Sequence, residues 1–260
     1  MLPPPPQRAI ENTPDHFGKG ALYRLAMPQL IQENSVLYLD CDVVCTMDIA
    51  DIFTTNMQAL PVVGASNAGD TRRHQRHLRS MGLDSTRYIN TGVMLCNLDK
   101  LRNEYPDYAD AVFASLAERR FAWAEQDPVN IYFQSKGLNI AVLPEAYNYF
   151  IGRSDRAYLE SSEYAGKILH YHSRVKPWNV LFPAALQYWK YYAIAFSYQE
   201  AFEGMEKLKK PEHDAIYSFL LRSPRIHRMV RRAWNIEEQG IWGTILDSLF
   251  SSRRKQKSKK

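Results

Sequence analysis

The 260-residue sequence contains only three cysteines, Cys41, Cys45 and Cys96. An odd number this small excludes a disulfide framework. No set of cysteines and histidines has the spacing of zinc ligands, so a structural zinc site is not expected either. The simplest interpretation is three thiols that pack in the fold of a protein from a reducing compartment.

A long apolar segment is also missing. Residues 3–6 are four prolines, which cannot form the apolar core of a secretory signal. No apolar run approaches the roughly 20 residues of a transmembrane helix. Hydrophobic residues nevertheless make up 45% of the chain, which is typical of a globular protein. We therefore expect a folded cytoplasmic protein without a membrane span.

Acidic residues are scarce at the C-terminal end. Residues 205–260 carry 14 Lys and Arg against 6 Asp and Glu, whereas residues 1–204 carry 19 against 22. Arginines alternate with apolar residues over 219–234, and lysines dominate residues 251–260. This pattern predicts peripheral attachment to anionic lipid at the inner face of a membrane. The alternatives are a helical subdomain with a disordered tail, or nucleic-acid binding, which no recognition motif supports.

Short apolar runs alternate with helical patterns along residues 1–182, which predicts an α/β domain with a mostly parallel sheet. Residues 1–20 are expected to be irregular, and the cationic segment 69–84 to be a loop or a surface helix. We predict a helical region over residues 183–250 and a basic disordered tail over 251–260. The predicted strands lie at residues 36–39, 62–65, 88–96, 139–143 and 167–171, and the main predicted helices at 21–32, 109–120 and 126–134.

Two carboxylates, Asp40 and Asp42, directly follow the apolar run at residues 36–39. Ligands bind at the carboxyl ends of strands in open α/β sheets. Paired carboxylates suit Mg²⁺ or Mn²⁺, and such a cation could hold a diphosphate. Because the Asp-x-Asp pattern is common, a polar loop after a strand is the alternative.

Three further segments carry residues with site chemistry. Asn90 and Thr91 stand at the start of a predicted strand, and Gln126 and Asp127 begin a predicted helix. The segment 170–178 offers an imidazole at His170, with His172 as its rival, and an ammonium group at Lys176. Mn²⁺ accepts imidazole as well as carboxylate ligands, and a lysine can neutralise a departing phosphate.

Taken in order, these segments resemble glycosyltransferase family 8, which includes retaining glucosyl- and galactosyltransferases of lipopolysaccharide synthesis. The resemblance implies a Rossmann-like nucleotide-diphospho-sugar transferase fold, GT-A. By comparison with that family, we expect the chain to be shortened at its N-terminus and to lack the usual first strands. The matching strings are Tyr23-Arg24-Leu25, the residues from Leu37 to Val43, those from Tyr88 to Val93, those from Gln126 to Asn130, and those from His170 to Trp178.

The resemblance implies a role for each matching residue. Asp40, Asp42 and His170 would bind Mn²⁺ or Mg²⁺, and Lys176 would stabilise the departing UDP. Arg24 would contact the donor sugar or a phosphate. The other donor-site residues would be Asn90, Thr91, Glu125, Gln126 and Asp127.

These roles predict transfer of glucose or galactose from a UDP-sugar to a lipopolysaccharide-like or other glycan acceptor. Gln126 would be catalytic: it would lie on the sugar face opposite the leaving group and could stabilise an oxocarbenium-like centre. Its amide is a poor nucleophile, which favours front-face attack with the metal and Lys176 absorbing leaving-group charge. The alternative is an inactive, truncated relative that binds a glycan, a partner or a membrane.

Overall fold

The structure is a computed structural model. The structure describes residues 5–14, 17–55, 57, 60–66, 72–138, 140–151, 164–172, 176–179, 184–196, 200 and 204. The C-terminal amphipathic segment predicted at residues 219–234 and the basic tail predicted at 251–260 lie outside these residues. The predicted domain boundaries at 182/183 and 250/251 therefore stay predictions. No helix in the described ranges has the length and apolar character that crossing a membrane requires.

Groups of helices and groups of strands follow one another along the chain. The helices are α1 (Gln7–Asn12), α2 (Gly20–Tyr23), α3 (Met27–Leu30), α4 (Arg72–Ser80), α5 (Leu98–Glu104), α6 (Tyr108–Glu118), α7 (Gln126–Ser135) and α8 (Ala185–Ala195). The strands are β1 (Ser35–Leu39), β2 (Val43–Cys45), β3 (Val62–Ser66), β4 (Ile89–Asn97), β5 (Ala141–Leu143), β6 (Tyr149–Phe150) and β7 (Ile168–His170).

The chain forms two compact units. The first contains residues 1–150 and 166–169, and the second contains residues 151–165 and 170–260. The boundary falls inside β7, between Leu169 and His170. The first unit holds the larger sheet, and the described part of the second unit includes α8.

The larger sheet has the strand order β1-β4-β3-β5. The pairs β1–β4 and β3–β4 are antiparallel, and only β3–β5 is parallel. The expectation of a mostly parallel sheet is therefore wrong for the described strands. Apolar runs separated by helices do not reveal direction, because a helical connection can return the chain antiparallel as well as cross over parallel. A smaller sheet has the order β2-β7-β6.

Both faces of β4 are buried. Met94 and Cys96 pack with apolar residues of α5, α6 and α7, whereas Val93 and Leu95 pack with Val63 and the other residues of a second cluster. Successive residues of a strand point to opposite faces. The near-continuous apolar sequence of β4 follows from this two-sided burial.

Two local predictions are corrected. Residues 7–12, expected to be irregular, form α1, whose Ala9 is fully buried and whose Asn12 side chain donates to the carbonyl of Leu116 at 2.8 Å. The apolar run at 36–39 was expected to be buried, but these residues are half-buried. Among the described strands β1 pairs only with β4, so one edge of β1 is left without a neighbouring strand.

A bulge interrupts the pairing of β3 with β4. Gly64 pairs with Met94, but the next residue, Ala65, pairs with Asn90. The three intervening residues of β4 therefore have no partner on β3, beginning with Thr91. β-Bulges re-aim side chains and release backbone groups from the ladder. Here the bulge includes part of the Asn90-Thr91 segment that the sequence singled out.

Gly64 is the tightest point of this arrangement. A Cβ atom at residue 64 would lie 2.5 Å from the Cβ of Ile89. We expect Gly64→Ala to lower the free energy of unfolding by about 1–3 kcal/mol, because overpacking forces the backbone to shift. Urea denaturation measures the loss. Gly20→Ala is the control, since nothing lies within 4 Å of its added Cβ, and equal stability of the two variants would contradict the expectation.

Candidate active site

Arg24 lies at the centre of the candidate site in the first unit, in the short 3-10 turn between α2 and α3. Its side chain is only 6% exposed. The guanidinium group donates to the carbonyl of Thr91 at 2.7 Å and to Oδ1 of Asp40 at 2.8 Å. Its Nε donates to the carbonyl of Ala21 at 3.0 Å. Arg24 thus ties its own turn to β4 and to the end of β1.

Burial alone would lower the pKa of Arg24, but the carboxylates of Glu125 and Asp40 outweigh this effect and raise it. Nη1 of Arg24 lies 3.5 Å from Oε1 of Glu125. The guanidinium carbon lies 4.5 Å from the centre of the Tyr38 ring, a cation–π contact. The site therefore keeps a permanent positive charge beneath Asp40.

The carboxylate of Asp40 is oriented by two donors. Its Oδ1 accepts from Arg24 and, at 2.8 Å, from the hydroxyl of Tyr38. Its backbone N–H donates to the carbonyl of Gly92 at 2.8 Å. Asp42 is 8% exposed and lies between β1 and β2. The structure confirms that the two carboxylates follow an apolar strand.

Glu125 is a buried acid at the start of α7, and 3% of the residue is exposed. Its Oε1 accepts from the Thr91 hydroxyl at 3.1 Å. Its Oε2 is buried and has no hydrogen-bond partner among the described residues. Burial raises the pKa of Glu125, although Arg24 partly opposes this shift. An acceptor oxygen is therefore available at the base of the site.

Gln126 connects α7 to the bulge in β4. Its Oε1 accepts from Nδ2 of Asn90 at 2.8 Å and from the backbone N–H of Thr91 at 3.3 Å. Its Nε2 donates to the hydroxyl of Tyr88 at 2.9 Å. The sequence predicted Asn90, Thr91 and Gln126 as one site, and the structure brings them into direct contact.

Asp127 is fully buried and accepts three hydrogen bonds. The Tyr88 hydroxyl reaches its Oδ1 at 2.7 Å. Nε2 of His77 and the backbone N–H of Trp123 reach its Oδ2 at 3.0 and 3.1 Å. This carboxylate therefore links His77 on α4 to Trp123 and to Tyr88, the residue directly before β4.

The residue before this acidic segment, Ala124, has a backbone φ of +44° and is completely buried. Non-glycine residues seldom adopt this left-handed conformation, which costs about 1–3 kcal/mol and recurs at functional sites. The turn at Ala124 directs Glu125, Gln126 and Asp127 into the site.

The two remaining predicted residues belong to the second unit. His170 ends β7, is 3% exposed, and accepts at its carbonyl from the N–H of Ile151 at 2.9 Å. Nζ of Lys176 donates to the carbonyl of Tyr171 at 2.7 Å. Tyr171 is itself anchored by its hydroxyl, which donates to the carbonyl of Ala184 at 2.8 Å.

Four contributors to the network received no role from the sequence: Tyr38, His77, Tyr88 and Asn130. The Asn130 side chain holds both the N–H and the C=O of Ile89, each at 2.9 Å. A signal existed for His77, because His74, His77 and Leu78 recur at helical spacing within the cationic segment. α4 buries His74 and Leu78 and leaves Arg72, Arg76 and Arg79 exposed.

Comparison with known proteins matches residues 7–181 to glycosyl transferase family 8. The chain is similar to General stress protein A of Bacillus subtilis, with 28% identity over 66% of this chain and 63% of that protein. It is also similar to glycosyltransferase GlyA of Streptococcus pneumoniae, with 29% identity over 65% of this chain and 23% of that protein. The chain thus spans less than two thirds of the length of these two relatives.

Among solved structures, the chain is similar to the galactosyltransferase LgtC in complex with donor and acceptor sugar analogs. The TM-score is 0.54, with 18% identity over 80% of this chain and 75% of that chain. At this identity the likeness shows the fold alone, which is the GT-A fold. The expected fold class is therefore confirmed.

Because burial raises the pKa of Glu125, we predict a pH-dependent contribution to stability. The folded state holds this proton more tightly than the unfolded state, for which the reference value is 4.5. Below pH 4.5 the protonated Glu125 makes its full contribution to the free energy of unfolding. This contribution is lost as the pH rises through the pKa that Glu125 has in the folded state. Glu125→Gln has no such proton to lose, so its unfolding free energy should fall less between pH 4.5 and 7.

Urea denaturation at the two pH values measures this difference. Glu118→Gln is the matched control, because Glu118 is exposed. The prediction fails if Glu125→Gln and the wild-type protein lose stability equally as the pH rises.

Proposed function

Because the chain belongs to glycosyl transferase family 8, we propose that it transfers a hexose from a UDP-sugar to a glycan acceptor with retention of configuration. Glycosyl transfer is the activity that family membership supports. The observation that carries the proposal is the hydrogen-bonded cluster of Arg24, Asp40, Thr91, Glu125 and Gln126. The matched segment contains all the residues predicted to form the site.

We propose that Asp40, Asp42 and His170 bind Mn²⁺ or Mg²⁺. The donor set supports this assignment, because Mn²⁺ accepts carboxylate oxygen and imidazole nitrogen together. Asp42 directly precedes β2. In the smaller sheet β2 is followed by β7, and β7 ends at His170. The cation, when bound, would neutralise the donor diphosphate and the departing UDP.

The residues on the donor side have complementary tasks. Lys176 supplies a second positive charge for the diphosphate. Arg24 contacts the donor through a guanidinium N–H group other than those that hold Ala21, Thr91 and Asp40. The buried Oε2 of Glu125 supports a hydrogen bond to a sugar hydroxyl, since a buried acceptor without a partner is costly.

Asn90 and Thr91 line the donor-sugar pocket together with Gln126, which they contact. Asp127 contributes to the pocket indirectly, because it accepts from the Tyr88 hydroxyl, which in turn accepts from Gln126. Gln126 is an amide and not a nucleophile, so the acceptor attacks the face from which UDP leaves. The oxygen of Gln126 stabilises positive charge that develops at the anomeric carbon.

The donor sugar is glucose or galactose, and the acceptor is a lipopolysaccharide-like or other glycan. Similarity to a solved galactosyltransferase is compatible with such a donor. The basic composition of residues 205–260 supports attachment to an anionic membrane at its cytoplasmic face. A lipid-linked acceptor would then lie at the same surface as the enzyme.

The metal-diphosphate site is tested by calorimetric titration of UDP with and without Mn²⁺. We expect tight binding only with Mn²⁺, and a loss of at least about tenfold in affinity in Asp42→Ala, because a metal ligand is removed. Asp51→Ala is the control, since Asp51 is exposed in a neighbouring turn. Absence of binding to the folded protein would instead favour the inactive relative.

Membrane attachment is tested by cosedimentation with lipid vesicles. The protein should bind phosphatidylglycerol vesicles and not phosphatidylcholine vesicles, and salt should weaken the binding, because the attraction is electrostatic. Deleting residues 251–260, which carry six basic residues, should reduce it further. Equal retention on both kinds of vesicle would contradict the electrostatic explanation.

A further inference from the structure

We propose that Tyr88 is a positioning residue that fixes the orientation of the Gln126 carboxamide. The buried Asp127, which His77 contacts in turn, holds the Tyr88 hydroxyl, and this hydroxyl sets which end of the amide faces the donor-sugar pocket. This inference rests on the proposed role of Gln126 at the donor sugar. It adds the residues that decide whether Gln126 presents its oxygen or its nitrogen.

One end of the amide is determined by the backbone of β4. The N–H of Thr91 lies outside the ladder with β3, because the bulge begins there. A backbone N–H can only donate, so the atom of Gln126 that lies 3.3 Å away must be the carbonyl oxygen. Nδ2 of Asn90 donates to the same oxygen at 2.8 Å.

The other end is determined by a chain of donors and acceptors. The Tyr88 hydroxyl donates a hydrogen bond to Oδ1 of Asp127 at 2.7 Å, because a carboxylate can only accept. The hydroxyl oxygen is then left to accept, and Nε2 of Gln126 donates to it at 2.9 Å. The Tyr88 hydroxyl therefore requires that the NH₂ group of Gln126, and not its oxygen, faces Tyr88.

Asp127 is held in turn by two elements. Its Oδ2 accepts from the backbone N–H of Trp123 and from Nε2 of His77 on α4. The His77 side chain is 24% exposed, whereas that of Asp127 is completely buried. Both carboxylate oxygens are engaged, so Asp127 acts on Gln126 through Tyr88.

Orientation decides what the side chain can do at the reaction centre. The oxygen of an amide carries partial negative charge, which stabilises an oxocarbenium-like sugar, whereas the amino group carries positive charge and opposes it. The network directs the oxygen of Gln126 toward Asn90 and Thr91, the residues proposed to line the sugar pocket. A reversed amide would point the wrong dipole at the anomeric carbon.

The start of α7 and the start of β4 are also joined by hydrogen bonds that do not involve the Tyr88 hydroxyl. Nδ2 of Asn130 donates to the carbonyls of Ile89 and Gln126, each at 2.9 Å, and Oδ1 of Asn130 accepts from the N–H of Ile89. Removing the Tyr88 hydroxyl should thus leave α7 attached to β4. The test can separate positioning from folding.

The first experiment is an NMR measurement on the full chain, which requires no substrate. The side-chain NH₂ signals of Gln126 are identified by their absence in Gln126→Ala. In Tyr88→Phe we expect these signals to move and to exchange faster with water, because Nε2 has lost its acceptor. Unchanged signals in Tyr88→Phe would overturn the proposal.

Tyr132→Phe is a closely matched control. The Tyr132 hydroxyl also donates to a carboxylate, that of Asp107, at 2.7 Å, and lies away from the site. This variant should leave the Gln126 signals in place. His77→Ala is the second variant, because its partly exposed side chain can be removed with little risk to folding. It should shift the Gln126 signals in the same direction but by less, and no shift would exclude His77 from the network.

The second experiment is a double-mutant cycle in sugar transfer. We expect Tyr88→Phe to lower kcat by about tenfold with the donor KM changed less than about twofold, a coupling within the range known for contacting residues. In a Gln126→Ala background the same substitution should have almost no further effect. Additive losses would show that Tyr88 acts independently of Gln126 and would overturn the proposal.

The two experiments fail separately. A wild-type chain that binds no UDP and transfers no sugar from UDP-glucose or UDP-galactose contradicts the proposed function. The NMR comparison of Tyr88→Phe with Tyr132→Phe would still decide how the Gln126 amide is oriented. Conversely, an active enzyme with additive losses in the cycle retains its function and loses only this role of Tyr88.

Discussion

The burial of one positive charge, on Arg24, is the constraint on which the site depends. A guanidinium withdrawn from water needs several acceptors, and here they come from three different parts of the chain. Two carboxyl groups, those of Asp40 and Glu125, lie within 3.5 Å of the guanidinium and compensate its charge. The end of β1, the bulge in β4 and the start of α7 are thereby fixed around one side chain. A rearrangement of the site would leave the buried Arg24 guanidinium without acceptors unless new hydrogen-bond partners replaced them.

The bulge in β4 makes this arrangement possible because it removes the Thr91 peptide from the sheet. Its carbonyl then accepts from Arg24, and its N–H donates to Gln126. A regular strand would have used one or both groups in the ladder with β3. The same residue thus joins a charged half of the site, around Asp40, to a neutral half, around Gln126. At this bulge Gly64 packs so closely against Ile89 that a Cβ atom at residue 64 would not fit without a shift.

Those features that depend on neighbouring residues were predictable from the sequence. Asp40 and Asp42 after an apolar run and Gln126 at a helix start are local patterns, and the structure contains both. Strand direction was not predictable, nor was Tyr88, which contacts Asp127 across 39 residues of chain. Such pairs are created by tertiary packing and leave no periodic signal. The assigned roles of the site residues came from the family resemblance, since no spacing distinguishes a donor-sugar amide from a helix cap.

The left-handed backbone of Ala124 carries a consequence for how sequences of this kind can change. Glycine would adopt the observed φ of +44° without strain. It would also widen the range of conformations available to the turn, and the acidic segment that follows would be less sharply aimed. Alanine at this position holds the turn more rigidly at some cost to overall stability. Ala124→Gly would therefore raise the stability of the fold and position the site residues less precisely. Selection for activity and selection for stability act in opposite directions at this residue.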